Sequence, residues 1–117
     1  MKILRETTDN GLMFWCPGCD GAHRIQHGAG SGPRWSWNGD VEKPTFQPSI
    51  LVTSYEMTPE AELMIEQGIR PEPPGSRYPG HATRCHSFVT DGRIRFLGDC
   101  THALAGQTVD IPDWETA

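Results

Sequence analysis

The sequence predicts a small α+β fold, mostly β, in which short antiparallel strands and hairpins with one short helix surround a zinc-ribbon-like metal site. Three observations predict it. A Cys16-Pro17-Gly18-Cys19 knuckle follows an aromatic-rich apolar run, Leu12-Met13-Phe14-Trp15. Asp91-Gly92 separates two alternating stretches, the signal of a two-residue hairpin turn. Thirteen Gly and ten Pro in 117 residues mark turns along the whole chain.

A chain of this length fits one core, so residues 1–117 are expected to form a single zinc-stabilised domain. Only 36% of the residues are hydrophobic, so the core needs help from a cross-link, which four cysteines can supply. Metal is expected rather than disulfides. The N-terminus, Met1-Lys2-Ile3-Leu4-Arg5-Glu6, has no apolar run for a signal peptide, and no later stretch is long enough to span a membrane. The expected location is the cytoplasm, where reducing thiol pools work against structural disulfides. A net charge of −5 argues against nucleic acid as the main partner.

The elements follow in order. Leu12–Trp15 reads as a buried strand, and His23–Gln26 pairs back onto it after the knuckle. Trp35–Asn38 alternates as a short strand before a turn at Asn38-Gly39-Asp40. Pro44 and Pro48 confine Thr45–Gln47 to an edge or shaped loop, and Ser49–Tyr55 is the better strand. Thr58-Pro59-Glu60 opens a helix: Thr58 caps it, Pro59 presets the first helical φ, and Glu60 and Glu62 sit near the positive end of the dipole. Gly68 ends it. Residues 70–80 form an exposed loop rich in Pro and Gly.

The Asp91-Gly92 turn sets Val89 opposite Ile94, Ser87 opposite Phe96 and Cys85 opposite Gly98. Cys85, Val89, Ile94 and Phe96 then share the buried face, while His86, Phe88, Arg93 and Arg95 lie on the other. Asp99–Gly106 is a tight segment with room for one helical turn, and Gln107–Ile111 is a last strand.

The two-residue spacing of Cys16 and Cys19 lets both thiolates reach one ion. The hairpin register brings Cys85 to the same core, with Cys100 of matching parity just beyond the partner strand. Cys16, Cys19, Cys85 and Cys100 make a closed tetrahedral Zn2+ site that ties the two ends of the chain together. His102 competes with Cys100 for the fourth place. His23 completes a CxxCxxxH run but reads more simply as a neighbour of the site or a surface residue. The bland alternative is four reduced thiols, two of them in the core.

No HExxH, HxE or Ser-His-Asp pattern stands out in the chain. A catalytic reading would use a zinc-bound water with His86, His102 or Asp99 nearby, and the thiolate-rich set looks closed to it. A base-stacking surface of Phe88 with Arg93 and Arg95 is opposed by the net acidity.

Phe14-Trp15-Cys16-Pro17-Gly18-Cys19, Trp37-Asn38-Gly39-Asp40, Lys43-Pro44-Thr45-Phe46 with Pro48-Ser49, Cys85-His86-Ser87-Phe88 and Asp99-Cys100-Thr101-His102-Ala103-Leu104-Ala105-Gly106 together carry a resemblance. The chain resembles a family of small zinc-binding proteins of unknown function encoded by phages and prophages, sometimes labelled ammonia monooxygenase. That label does not suit a chain with no membrane span and no copper-type cluster. The resemblance covers nearly the whole chain apart from 57–80. It implies that Ser can stand at the position of Cys100 while the histidine matching His102 stays, which favours His102 as a ligand.

The leading expectation is a phage-type accessory protein, not an enzyme, that binds a host protein and uses zinc structurally. The alternatives are a zinc-dependent hydrolase or nucleotide-modifying enzyme, and a nucleic-acid-binding zinc ribbon.

Overall fold

An apolar run that must reverse at Pro17-Gly18 has a strand on each side of the turn, and the fold is built outward from that pair. The computed structural model describes residues 2–114; Met1 and positions 115–117 lie outside the described residues. Strands β1 (Arg5–Thr7), β2 (Gly11–Cys16) and β3 (Gly21–Gln26) form an antiparallel sheet in the order β1-β2-β3. Leu12, Phe14 and Cys16 alternate inward along β2 and are fully buried. Strand β1 was not expected from Arg5-Glu6-Thr7, which has no apolar residue. A turn with Asp9 and Asn10 at φ 58° folds it against β2.

Strands β4 (Ser36–Trp37) and β5 (Phe46–Gln47) form a two-residue ladder, shorter than the expected Trp35–Asn38 strand. Between Pro44 and Pro48, Phe46 plunges into the core and stacks on Phe14 at 6.2 Å.

The larger sheet contains β6 (Ile50–Met57), β7 (Gly80–Thr90), β8 (Arg93–Phe96) and β9 (Thr108–Asp110), antiparallel and in that order. The hairpin has the expected register: Asp91 and Gly92 turn at φ 48° and 77°, with Val89 opposite Ile94 and Ser87 opposite Phe96. The ladder stops before the expected Cys85–Gly98 pair. Leu97 N–H still donates to His86 O at 2.9 Å, and the chain then turns. Asp99–Gly106 makes successive turns and bends without a helical turn.

Helix α1 (Pro59–Glu66) joins β6 to β7. Thr58 Oγ1 accepts from Ala61 N–H at 3.3 Å, and Gly68, at φ 72°, lets Ile69 N–H return to Met64 O at 2.8 Å. The helix buries only Ala61 and leaves Leu63 and Ile65 exposed, so it is a connector lying on the surface.

The two larger sheets share one core. Leu12, Phe14, Cys16 and Ile25 come from one side, and Ile50, Cys85, Val89, Ile94 and Phe96 from the other, with Phe46, Ile3, Leu4 and Ile111 filling in. Among the described residues, no helix is long and apolar enough to cross a membrane.

Candidate active site and metal centre

Strand alternation sends Cys85 inward and His86 outward, so two different sites meet back to back at β7. On the inner side, the ligand atoms of Cys16, Cys19, His23 and Cys85 all lie within 4.8 Å of one another. Cys16 Sγ and Cys85 Sγ are 3.9 Å apart. Two thiolates bound at about 2.3 Å to one tetrahedral ion stand roughly 3.8 Å apart, so this separation fits a shared ion. The Cys19 N–H donates to Cys16 Sγ at 3.4 Å, the knuckle geometry that holds both sulfurs toward one point. His23 lies on β3 against the edge of Phe14, 8% exposed, and its Nε2 is buried with no hydrogen-bond partner. These residues can hold a metal ion.

The electrostatics of the cluster point the same way. The Cys16 thiol is pulled far below its ordinary pKa, chiefly by its hydrogen bond with Cys85 and against the opposing effect of burial. Cys85 is pushed up, first by that same hydrogen bond and then by burial, and Cys19 is pushed up by burial and the charge on Cys16. A cation bound here would favour the thiolate form at all three sulfurs.

Cys85 also belongs to a second group with Cys100 and His102, whose ligand atoms fall within the same 4.8 Å limit. The His102 ring covers the knuckle so closely that a Cβ on Gly18 would stand 2.3 Å from it. His102 Nδ1 accepts from Leu104 N–H at 3.2 Å, and its Nε2 is buried without a partner. Of the expected ligands, Cys16, Cys19 and Cys85 are thus brought together with His23, while Cys100 and His102 join them only through Cys85.

On the outer side, His86 Nε2 is 3.0 Å from Ser49 Oγ, and His86 Nδ1 is 3.3 Å from Asp99 Oδ2. The linear sequence showed no Ser-His-Asp pattern. The fold assembles one from three separate segments, which corrects that reading. Ser49 stands one residue before β6, and its carbonyl accepts from Trp35 Nε1–H at 3.1 Å. Asp99 lies in the turn after β8, and the segment behind it is zipped to β7 by side chains. Cys100 Sγ accepts from His86 N–H and donates to His86 O, both at 3.2 Å. Thr101 N–H donates to Arg84 O, and Arg84 N–H donates to Thr101 Oγ1, both at 2.9 Å. Arg84 Nη1 also reaches Asp99 Oδ2 at 3.7 Å, giving the carboxylate a cationic neighbour.

Cys100 therefore clamps the backbone of the residue that carries the imidazole. Cys100→Ala would remove both thiol contacts and leave a part-buried N–H unpaired, at a cost of about 1–3 kcal/mol. Cys100→Ser, which can donate and accept at the same place, should restore most of that loss. Denaturant unfolding of the two variants checks it.

The described residues thus form a β scaffold that carries a hydrogen-bonded serine, histidine and aspartate on one sheet face and, behind it, a Cys/His cluster that could hold a metal ion. The chain belongs to the BubE family, described as a bacterial ubiquitination-like system serine protease, whose model matches residues 1–97. The match includes Ser49, His86 and three of the four cysteines; Asp99 follows two residues beyond it. No curated protein and no solved structure is matched by the chain.

Proposed function

We propose that this protein is a serine protease of a bacterial ubiquitination-like system, cleaving the amide bond at the C terminus of a ubiquitin-like modifier. The observation that carries the reading is His86 bridging Ser49 Oγ and Asp99 Oδ2 at hydrogen-bond distance. His86 Nε2 takes the Ser49 proton as Oγ attacks the scissile carbonyl, and Nδ1–H donates to Asp99, which fixes the tautomer and supports the imidazolium. Collapse of the tetrahedral intermediate breaks the C–N bond, and His86 hands its proton to the departing amine. Water, deprotonated by His86, then attacks the acyl-serine and frees the carboxylate.

This reading replaces the non-enzymatic accessory role. It keeps a protein as the partner, since the modifier and its conjugate are proteins.

The metal we assign is one structural Zn2+ held by Cys16, Cys19, Cys85 and His23, because three soft thiolates with one imidazole make a closed tetrahedral set. His23 is preferred over His102 as the fourth ligand. With His102 Nδ1 accepting from Leu104 N–H, the ring proton belongs on Nε2, which blocks that nitrogen as a ligand. When bound, the ion braces the fold: Cys85 precedes His86 directly, so the base is held one residue from a fixed point. No step of the hydrolysis is assigned to it.

A fluorophosphonate, which modifies activated serines, tests the proposal. It is expected to modify Ser49 in the wild type, as read by peptide mass mapping, and to leave His86→Ala unmodified. A folded wild-type protein whose Ser49 is inert to the probe would overturn the reading. Asp99→Asn should slow turnover by about 10²–10⁴-fold with little change in KM, because the wrong imidazole tautomer is then favoured.

A further inference from the structure

The serine stands at the head of a strand whose outer side, among the described residues, pairs with no further strand. Sheet order leaves β6 at the edge, beside β7 alone. Two hydrogen bonds fix which of its backbone groups face outward. Thr58 N–H donates to Pro79 O at 3.0 Å, in line with the β6–β7 register. Leu97 N–H donates to His86 O at 2.9 Å, so the even-numbered residues of β7 turn toward β8 and the odd-numbered ones toward β6. Antiparallel pairing alternates, and both bonds agree: Ile50, Val52, Ser54 and Glu56 bond to β7, while Leu51, Thr53 and Tyr55 present N–H and C=O to the open edge. The Ser49 carbonyl, of the same parity, is the one that meets Trp35.

At the far end, the Tyr55 ring leans over Gly80 of β7, its Oη donating to Tyr78 O at 2.6 Å with the Arg77 guanidinium 4.7 Å over the ring. The stretch beside the serine is Leu51 to Thr53. Exposed edges are usually guarded by a charge, a proline or a bulge. Leu51-Val52-Thr53-Ser54 has none of these, and its register against β7 is continuous. Leu51 is 54% exposed and stands opposite His86 in the ladder.

We infer that the open edge of β6 is the substrate-docking surface, and that its occupant is an extended peptide, the acyl-side tail of the substrate, added as a further strand. The inference rests on Ser49 being the nucleophile. Outward N–H and C=O groups at Leu51 and Thr53 bond the backbone of the tail, whatever its sequence, and guide its terminal carbonyl to Ser49 Oγ. At about 3.3 Å per residue, the stretch from Ser49 to Thr53 holds roughly four residues of the tail. The exposed Leu51 side chain adds an apolar contact next to the catalytic base.

The test uses two kinds of serine-directed probe, both read as the rate of Ser49 modification by intact mass. One is a simple alkyl fluorophosphonate; the other is a series of oligoalanyl phosphonates with one to five residues ahead of phosphorus. In the wild type the rate should rise at least about 10-fold between one and four residues, the gain of one or two net hydrogen bonds. Thr53→Pro deletes an outward N–H without touching the β7 ladder, so it should abolish that gain, read as the ratio of the four-residue to the one-residue rate. Thr53→Ala should keep the gain. Should the proline variant fail to fold, N-methylation of alternate amides in the oligoalanyl probes must abolish the gain on the wild type instead. A wild-type rate independent of length, or a gain that survives both the proline and the N-methyl groups, overturns the docking surface while the triad stands. An alkyl fluorophosphonate that leaves wild-type Ser49 unmodified removes the nucleophile and the docking inference with it.

Discussion

Ser49→Ala is expected to lower cleavage of a modifier carrying a C-terminal extension by at least about 10⁴-fold, with the thermal midpoint unchanged to within a few degrees. The size follows from the chemistry. Without Oγ there is no acyl-serine, and the chain is left only with its ability to hold substrate near a water. The small effect on stability follows from the fold. Ser49 lies on the open side of the sheet just before β6, and its structural tie, the carbonyl that accepts from Trp35 Nε1–H, belongs to the backbone and survives the substitution. Cleavage is read by the appearance of the freed extension, and stability by calorimetry. Activity in Ser49→Ala within tenfold of wild type would remove the serine from the mechanism.

The second large effect is expected at the metal centre. Treatment with a strong chelator, or Cys16→Ser, should release one zinc per chain, lower the thermal midpoint by more than about 10 °C and abolish cleavage. Structural zinc in small domains contributes on the order of 10 kcal/mol of binding energy that folding relies on. A loss of even a few kcal/mol moves the midpoint of a domain this size by about 4–8 °C for each. The loss of activity comes through Cys85. With the ion gone, Cys85 keeps only its thiol contact with Cys16, and the strand that carries His86 loses its fixed point. Under the proposed function, a chelator is therefore expected to inactivate the hydrolysis. Metal content by mass spectrometry and midpoint by calorimetry check the first part. A chelator-treated protein that is metal-free, equally stable and equally active would remove the structural role.

Arg84 and Arg93 each face a carboxylate, Asp99 at 3.7 Å and Asp110 at 3.1 Å. Their charge is spent within the sheet face, one of them on the triad itself.

Features that depend on neighbours along the chain are legible in the sequence. The Cys16–Cys19 knuckle, the Asp91-Gly92 hairpin with its register, the Thr58-Pro59 helix start and the opposite faces of Cys85 and His86 were all legible, because turn chemistry and strand parity are local. Which distant segments meet follows from strand pairing across the fold. Ser49 read as no more than the start of a strand, since its approach to His86 requires β6 to pair with β7 across a helix and a 70–80 loop that no local pattern fixes. Asp99 reaches His86 only because Cys100 and Thr101 supply with side chains the hydrogen bonds that the ended strand no longer makes. His23 read as a neighbour of the knuckle. Its place among the thiols follows from the pairing of β2 with β3, which sets it opposite Phe14 and turns it into the core. The two knuckle thiols were written into one short motif. The relay on the other side of the same strand was created by pairing, and a sequence read one segment at a time has no term for it.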